Sequence, residues 1–251
     1  MRVALKFAYD GSGFSGYARQ PGQRTVEQAL LDLLGERGVL VDAKTSCFRT
    51  ASRTDRGVSA LGNVCAFDTA SSKRTILSLL KRNISDIFIY GMQAVESSFY
   101  PRYAKRREYR YYLKRDDFDI DVLLSAAELF TGEHNFQNFA RVELLKNPVR
   151  TIDNIVVVEK KDFLILDFYA QTFLWNQIRR IVSALEKRGK GVLSNEQILA
   201  ALEHPERKID FQVAAPELLI LKDVTYDFSF EYVDGYGKTL DIFENRIIDL
   251  L

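Results

Sequence analysis

The sequence predicts an α+β protein made of two successive mixed halves. Two observations carry this. Stretches of period-two apolar alternation and stretches with apolar residues at helical spacing follow one another with short connections. The same style then repeats in the second half, so antiparallel sheets bearing helices on one face are expected. The boundary is expected near Tyr100-Pro101, where proline interrupts the pattern, giving segments 1–100 and 101–251.

Taken in order, residues 3–9 alternate as a strand and Asp10-Gly11-Ser12-Gly13 reads as a turn. Thr25 and Gln28 have the spacing of a capping box. Behind them Val26, Ala29, Leu30, Leu33 and Leu34 share a helical face. Residues 45–50 and 63–68 read as strands flanking a polar loop, and residues 75–80 as helix. In the second half, residues 108–114 alternate as a strand, and residues 119–130 form a helix ended by Gly132. Residues 154–159 and 163–169 make a hairpin. Residues 174–185 form a helix with Leu174, Ile178, Ile181, Val182 and Leu185 inward. A second capping box, Ser194 and Gln197, opens a helix to residue 202, and residues 218–230 are strand-like.

Composition excludes several classes. At 251 residues the chain can bury a sizeable core without disulfides or metal. Cys47 and Cys65 lie 18 residues apart, and His134 and His204 are the only histidines, so no zinc site is expected. The cysteines are expected to be reduced, Trp175 to be core, and His134 to cap a helix end. No apolar run approaches the ~20 residues of a membrane span, and no signal-peptide core is visible, which predicts a cytoplasmic protein without membrane association.

The net charge of +1 hides an asymmetry. Residues 1–115 hold 20 Lys/Arg against 10 Asp/Glu, and residues 116–251 hold 15 against 24. Either one half offers a basic surface to a polyanion, or folding interleaves the halves and the fields cancel.

Three stretches could carry chemistry. In Ser52-Arg53-Thr54-Asp55-Arg56-Gly57-Val58-Ser59-Ala60, one carboxylate sits in a tight loop between strands. Flanking arginines favour the ionised form that a nucleophile or base needs. An Asx-turn with solvated arginines is the plainer alternative. Residues 100–115 hold seven Lys/Arg, five Tyr and one acid. That mixture suits RNA, whose phosphates need cations and whose splayed bases need stacking faces. A solvated strand with inward tyrosines would look the same. In the third stretch, Arg179 and Arg180 interrupt an apolar helix; a guanidinium beside a buried stripe needs an anionic partner. No phosphate-binding loop, dinucleotide fingerprint or Ser-His-Asp order is present.

With these residues in view, the chain resembles the tRNA pseudouridine synthase A family. The loop around Asp55 is similar to the family's signature loop. Tyr9-Asp10-Gly11-Ser12 with Gly16 and Gln20 resembles its opening motif, and Glu108-Tyr109-Arg110-Tyr111 its tyrosine-bearing strand. Gly132-Glu133-His134-Asn135-Phe136, residues 173–182, and Ala215-Pro216 with Leu219 resemble three further blocks. The chain departs at Tyr17, Ala18, Arg56, Asn135 and Leu218. The resemblance implies two ferredoxin-like halves with joined antiparallel sheets and a central cleft, a homodimer, and isomerisation of uridine to pseudouridine at positions 38–40 of the tRNA anticodon stem-loop without a cofactor or metal. It implies that Asp55 is the catalytic aspartate, Arg179 its basic partner, and Tyr109 the residue against the target uracil. Arg53 would enter the RNA as the base leaves the stack, and Leu219 would line the base pocket. Arg56, Arg102, Lys105 and Arg106 are further candidates for contact with RNA. A non-catalytic RNA-binding module and a nucleoside glycosidase compete with this reading. The glycosidase ordinarily requires two carboxylates where the Asp55 loop has one.

Overall fold

The computed structural model describes residues 1–80, 86–116 and 118–250. In chain order the elements are β1 (Arg2–Tyr9), α1 (Val26–Glu36), β2 (Arg49–Thr50), β3 (Ser59–Asp68), α2 (Lys73–Leu80) and β4 (Ile87–Val95), then β5 (Arg106–Lys114), α3 (Ile120–Glu128), β6 (Gly132–Asn135), β7 (Val149–Ile152), β8 (Asn154–Glu159) and β9 (Phe163–Ala170). The chain continues through α4 (Gln177–Gly189), α5 (Asn195–Glu203), β10 (Leu219–Thr225), β11 (Glu231–Tyr232) and α6 (Tyr236–Ile248). The structure is mixed α+β with mainly antiparallel pairing, as the periodicity predicts.

Contacts divide the chain into two units, Met1–Lys105 with Ile220–Leu250, and Arg106–Leu219. The expected segments were 1–100 and 101–251; the C-terminal stretch returns to the first unit. This return matters for charge. The first unit holds 18 Lys/Arg against 16 Asp/Glu, and the second 17 against 18. The steep asymmetry along the sequence therefore dissolves in the fold, and any basic site has to be local.

In the first unit β1 pairs antiparallel with both β3 and β4. The order β4-β1-β3-β2, with α1 and α2 in the connections, is the split βαβ arrangement. β1 is buried along its whole length, including Arg2, bonded to Asp68, and Lys6, paired with Asp223. Lysine is rarely buried without such a partner. The free edge of β3 is shared. β2 pairs at Ala66 and Cys65, and β10 runs parallel with Ile220 opposite Ser59. Residues 45–50, expected as a strand, contribute two residues only. The Asp42 carboxylate accepts the N–H groups of Lys44 and Thr45 at 2.8 and 2.9 Å, and Cys47 has φ 46°, so the chain turns there instead of extending.

α1 buries Val26, Leu30, Leu31, Leu33 and Leu34, each worth about 1.5–3 kcal/mol. Thr25 caps it as expected, but Gln28 does not close a capping box; its amide donates to Asp32 one turn on. α6, which the sequence reading missed, turns only Phe243 and Ile247 inward.

In the second unit the sheet order is β5-β9-β8, with a separate β6-β7 pair. β8 and β9 form the expected hairpin. The Ser194–Gln197 capping box is present on α5. α4 starts three residues later than expected. Asn176 is left-handed at φ 62°, and the Gln177 side chain accepts the Leu174 N–H at 2.8 Å, so Leu174 lies outside the helix. His134 lies on β6, its Nε2 3.0 Å from the Thr131 carbonyl. Trp175 is 46% exposed, which corrects the expectation that it is core; the Arg141 guanidinium lies 4.2 Å over its ring.

Candidate functional site

The Asp55 loop joins β2 to β3, and the N-terminal turn builds its seat. Gly11 approaches so closely that an added Cβ would overlap the Val58 carbonyl and lie 2.9 Å from the Gly57 carbonyl carbon. Only glycine fits. Gly16, at φ 104°, stacks on the backbone of Arg56, where a Cβ would lie 3.3 Å from its nitrogen. The Tyr17 N–H donates to the Thr54 carbonyl at 3.2 Å, and the Tyr9 and Thr54 hydroxyls bond at 2.7 Å. From β3, the buried Asn63 donates its amide to the Ser52 carbonyl at 3.0 Å, and the Ser59 hydroxyl accepts the Gly11 N–H at 2.9 Å. Gly57, at φ 84°, completes a turn in which Val58 N–H reaches the Asp55 carbonyl at 3.2 Å. The opening motif and the Asp55 loop, some 45 residues apart in sequence, are one structural object.

The loop therefore holds its backbone firmly while presenting charge. Asp55 is half-buried; Arg53 and Arg56 are exposed. Tyr17 is fully buried, and burial pushes its phenol well above the usual range.

Beside this loop lies a cavity of about 360 Å³, lined by Arg19, Lys44, Arg49, Arg53 and Arg102, with Glu27 as its carboxylate and Phe48 and Tyr100 as rings. Three of these cations, Arg19, Lys44 and Arg49, were not singled out in the sequence. They are scattered and become neighbours only through the turns before α1 and β2.

The second unit holds the other candidates. Tyr109 lies on β5 opposite Phe168 of β9, nearly buried, with Phe173 edge-on at 5.4 Å. Phe173 was noticed only as part of a motif block. The cations of the Tyr-rich stretch have protein neighbours. Arg110 makes a bidentate bond to Asp167 at 2.7 and 2.8 Å, which pushes its pKa further up. Arg107 is buried and donates to the Gln171 carbonyl. Arg106 lies over Tyr169 at 5.3 Å, and Arg115 meets Glu159 at 2.8 Å. Lys105, in the first unit, meets Asp227 at 2.8 Å with both side chains exposed, a pair worth little.

Arg179 sits in the first turn of α4. Its Nε donates to the Ala214 carbonyl at 2.7 Å and its Nη1 to Asn176 Oδ1 at 3.3 Å. Ser183 and Lys187, on the same helix, bond the Phe211 carbonyl at 2.7 and 2.9 Å. Residues 211–214 are thereby strapped to α4. Leu219, the first residue of β10, is buried. Both cysteines are free, and no group of three His, Cys, Asp or Glu side chains among the described residues could hold a metal ion.

A braced loop with one carboxylate and exposed arginines thus stands next to a cation-lined cavity. A family model described as tRNA pseudouridine synthase matches residues 126–227. A tRNA pseudouridine synthase A of Thermococcus sibiricus is 44% identical over 241 residues, covering 94% of this chain and 89% of that protein. The enzyme of that name from Pyrococcus furiosus is 38% identical over 251 residues, covering 99% and 92%. A crystal structure of a Cbf5-Nop10-Gar1 complex matches at TM-score 0.37 and 17% identity, over 72% of this chain and 44% of that one, a score at which the folds are not equated. This chain belongs to the tRNA pseudouridine synthase family.

Proposed function

We propose that this protein isomerises uridine to pseudouridine in tRNA, at positions 38–40 of the anticodon stem-loop, with Asp55 as the essential carboxylate. The observation that carries the reading is the Asp55 loop itself. A single half-buried carboxylate sits on a backbone seated by Gly11, Gly16, Tyr9 and Asn63, in a chain of this family.

The chemistry asks for little more. The C1′–N1 bond breaks, the base turns, C1′–C5 forms, the C5 proton leaves and N1 gains one. No electrons are exchanged with another molecule, so no redox cofactor is required. One ionised carboxylate serves either as nucleophile at C1′ or as base at C2′. A seat without slack helps, because the carboxylate must meet a carbon whose position is set by a large substrate. A base within a stem must first leave its stack, at a cost of a few kcal/mol that protein contacts must offset.

In this reading Tyr109 supplies the face for the target uracil and Leu219 lines its pocket. Arg179 is the basic partner of the carboxylate, and Arg53 and Arg56 take the space or phosphates left by the extruded nucleotide. Arg102, Lys105 and Arg106 contact the RNA backbone; the exposed Lys105–Asp227 pair would yield readily to a phosphate. A homodimer of chains with two ferredoxin-like halves belongs to the same proposal. Incubation with unmodified tRNA and position-resolved nucleoside analysis tests it. Pseudouridine confined to positions 38–40 is expected. Modification only elsewhere would overturn the assignment of the site.

A further inference from the structure

The cavity beside the Asp55 loop calls for its own explanation. Five cations and one carboxylate line about 360 Å³, a space about 9 Å across if spherical. That is close to the Debye length of about 8 Å at physiological salt, so like charges on its wall are only partly screened from one another. The whole first unit carries a surplus of only two positive charges, so this is a local concentration and not a general basic field. Arg19 meets the single carboxylate, Glu27, at 4.0 Å, and Arg49 donates to the neighbouring Phe48 carbonyl, which is neutral. An arrangement that is repulsive when empty is stabilised when an anion enters.

The shape narrows the anion. The volume is at the small end of ligand cavities, ~300–1,000 Å³, and leaves room for one nucleotide but not for a duplex. Tyr100 supplies an aromatic wall, with Tyr103 packed on it at 5.2 Å and itself 83% exposed. Cations with a ring are the two elements that single-stranded RNA needs. Arg53 belongs both to this cavity and, two residues before Asp55, to the loop, so an occupant here is mechanically tied to the candidate catalytic carboxylate.

We propose that this cavity binds one unpaired nucleotide of the tRNA strand, its phosphodiester among Arg19, Lys44 and Arg49 and its base on Tyr100. This rests on the proposed function and adds a second RNA-binding point that holds the strand beside the loop. Arg19, Lys44 and Arg49 are positioning residues: they set where the RNA lies and take no part in bond making.

The test compares wild type with the triple variant R19Q/K44Q/R49Q and with a control, R37Q/R74Q/K238Q, which removes three exposed cations away from the cavity. Each lost phosphate contact should lower the slope of log affinity against log salt by roughly 0.7–0.9. With one phosphodiester in the cavity, the cavity variant should flatten it by roughly 0.7–0.9 and raise KM for tRNA at least about tenfold, with kcat within about threefold of wild type. The control should leave the slope nearly unchanged. Tyr100→Phe should bind as wild type and Tyr100→Leu more weakly. Equal slopes for the cavity variant and wild type, or equal flattening by the control, would overturn the proposal. So would a lowered melting temperature with KM unchanged, which would make these cations structural. Pseudouridine formation by wild type is scored separately, so failure here and failure of the proposed function are distinguishable.

Discussion

The Asp55 loop and the Tyr-rich stretch at residues 100–115 look alike in sequence, each a cluster of arginines around one acid. In the structure they differ. The loop spends its backbone groups on its seat and leaves Arg53 and Arg56 in solvent. The stretch becomes β5, and strand pairing brings protein partners to its cations: Arg110 to Asp167, Arg107 to Gln171, Arg106 to the Tyr169 ring. A basic sequence is therefore a poor guide to a basic surface where the chain enters a sheet. It is a better guide where the chain turns, because turns present side chains without cross-strand neighbours.

That contrast can be broken or sharpened in order of size. Asp55→Asn keeps the shape of the loop and removes the charge. The rate of pseudouridine formation should fall at least ~10³-fold, about 4 kcal/mol of barrier, with tRNA affinity largely kept. Gly11→Ala attacks the seat and not the carboxylate. The added methyl meets the Val58 carbonyl, so the loop must shift at a cost of about 1–3 kcal/mol in stability. Activity should fall more than the melting temperature alone explains, and normal turnover by this variant would show that the seat is not needed.

On the strand side, Tyr109→Ala should lose roughly 1–3 kcal/mol of RNA affinity while Tyr109→Phe keeps it. Equal binding by the two would leave Tyr109 as packing against Phe173. Lys105→Gln with Arg106→Gln should flatten the salt slope by about 1–2 if both reach phosphates, and by less if their protein partners hold them. A salt titration beside the cavity variant ranks the two regions directly. Smallest of all, chelation by EDTA should leave activity on Mg²⁺-prefolded tRNA unchanged, since two histidines and two cysteines far apart in sequence make no conventional metal site.

Elements set by local chemistry were legible in the sequence. β1, α1, the β8–β9 hairpin and the α5 capping box each follow from periodicity or a cap within a few residues. What escaped gives no such signal. Residues 45–50 lost their strand to a turn held by the Asp42 carboxylate just before them. α6 escaped because only Phe243 and Ile247 face inward, too few for a stripe. In the site, Asp55 was conspicuous from its own neighbours. The reason for Gly11 and Gly16 was not, because the backbone they crowd lies across a loop. Arg19, Lys44 and Arg49 carried no signal at all, since nothing in their spacing announces a shared cavity.

In the proposed function one braced carboxylate rearranges a base without releasing it. The direct measurement follows unmodified tRNA carrying labelled uracil through incubation with the protein, then counts uridine, pseudouridine and free uracil. Pseudouridine gained should equal uridine lost, with no free uracil at any time. Accumulation of free uracil would make the protein a glycosidase. An unchanged uridine count with tRNA tightly bound would make it a binding module, and either result would contradict the account.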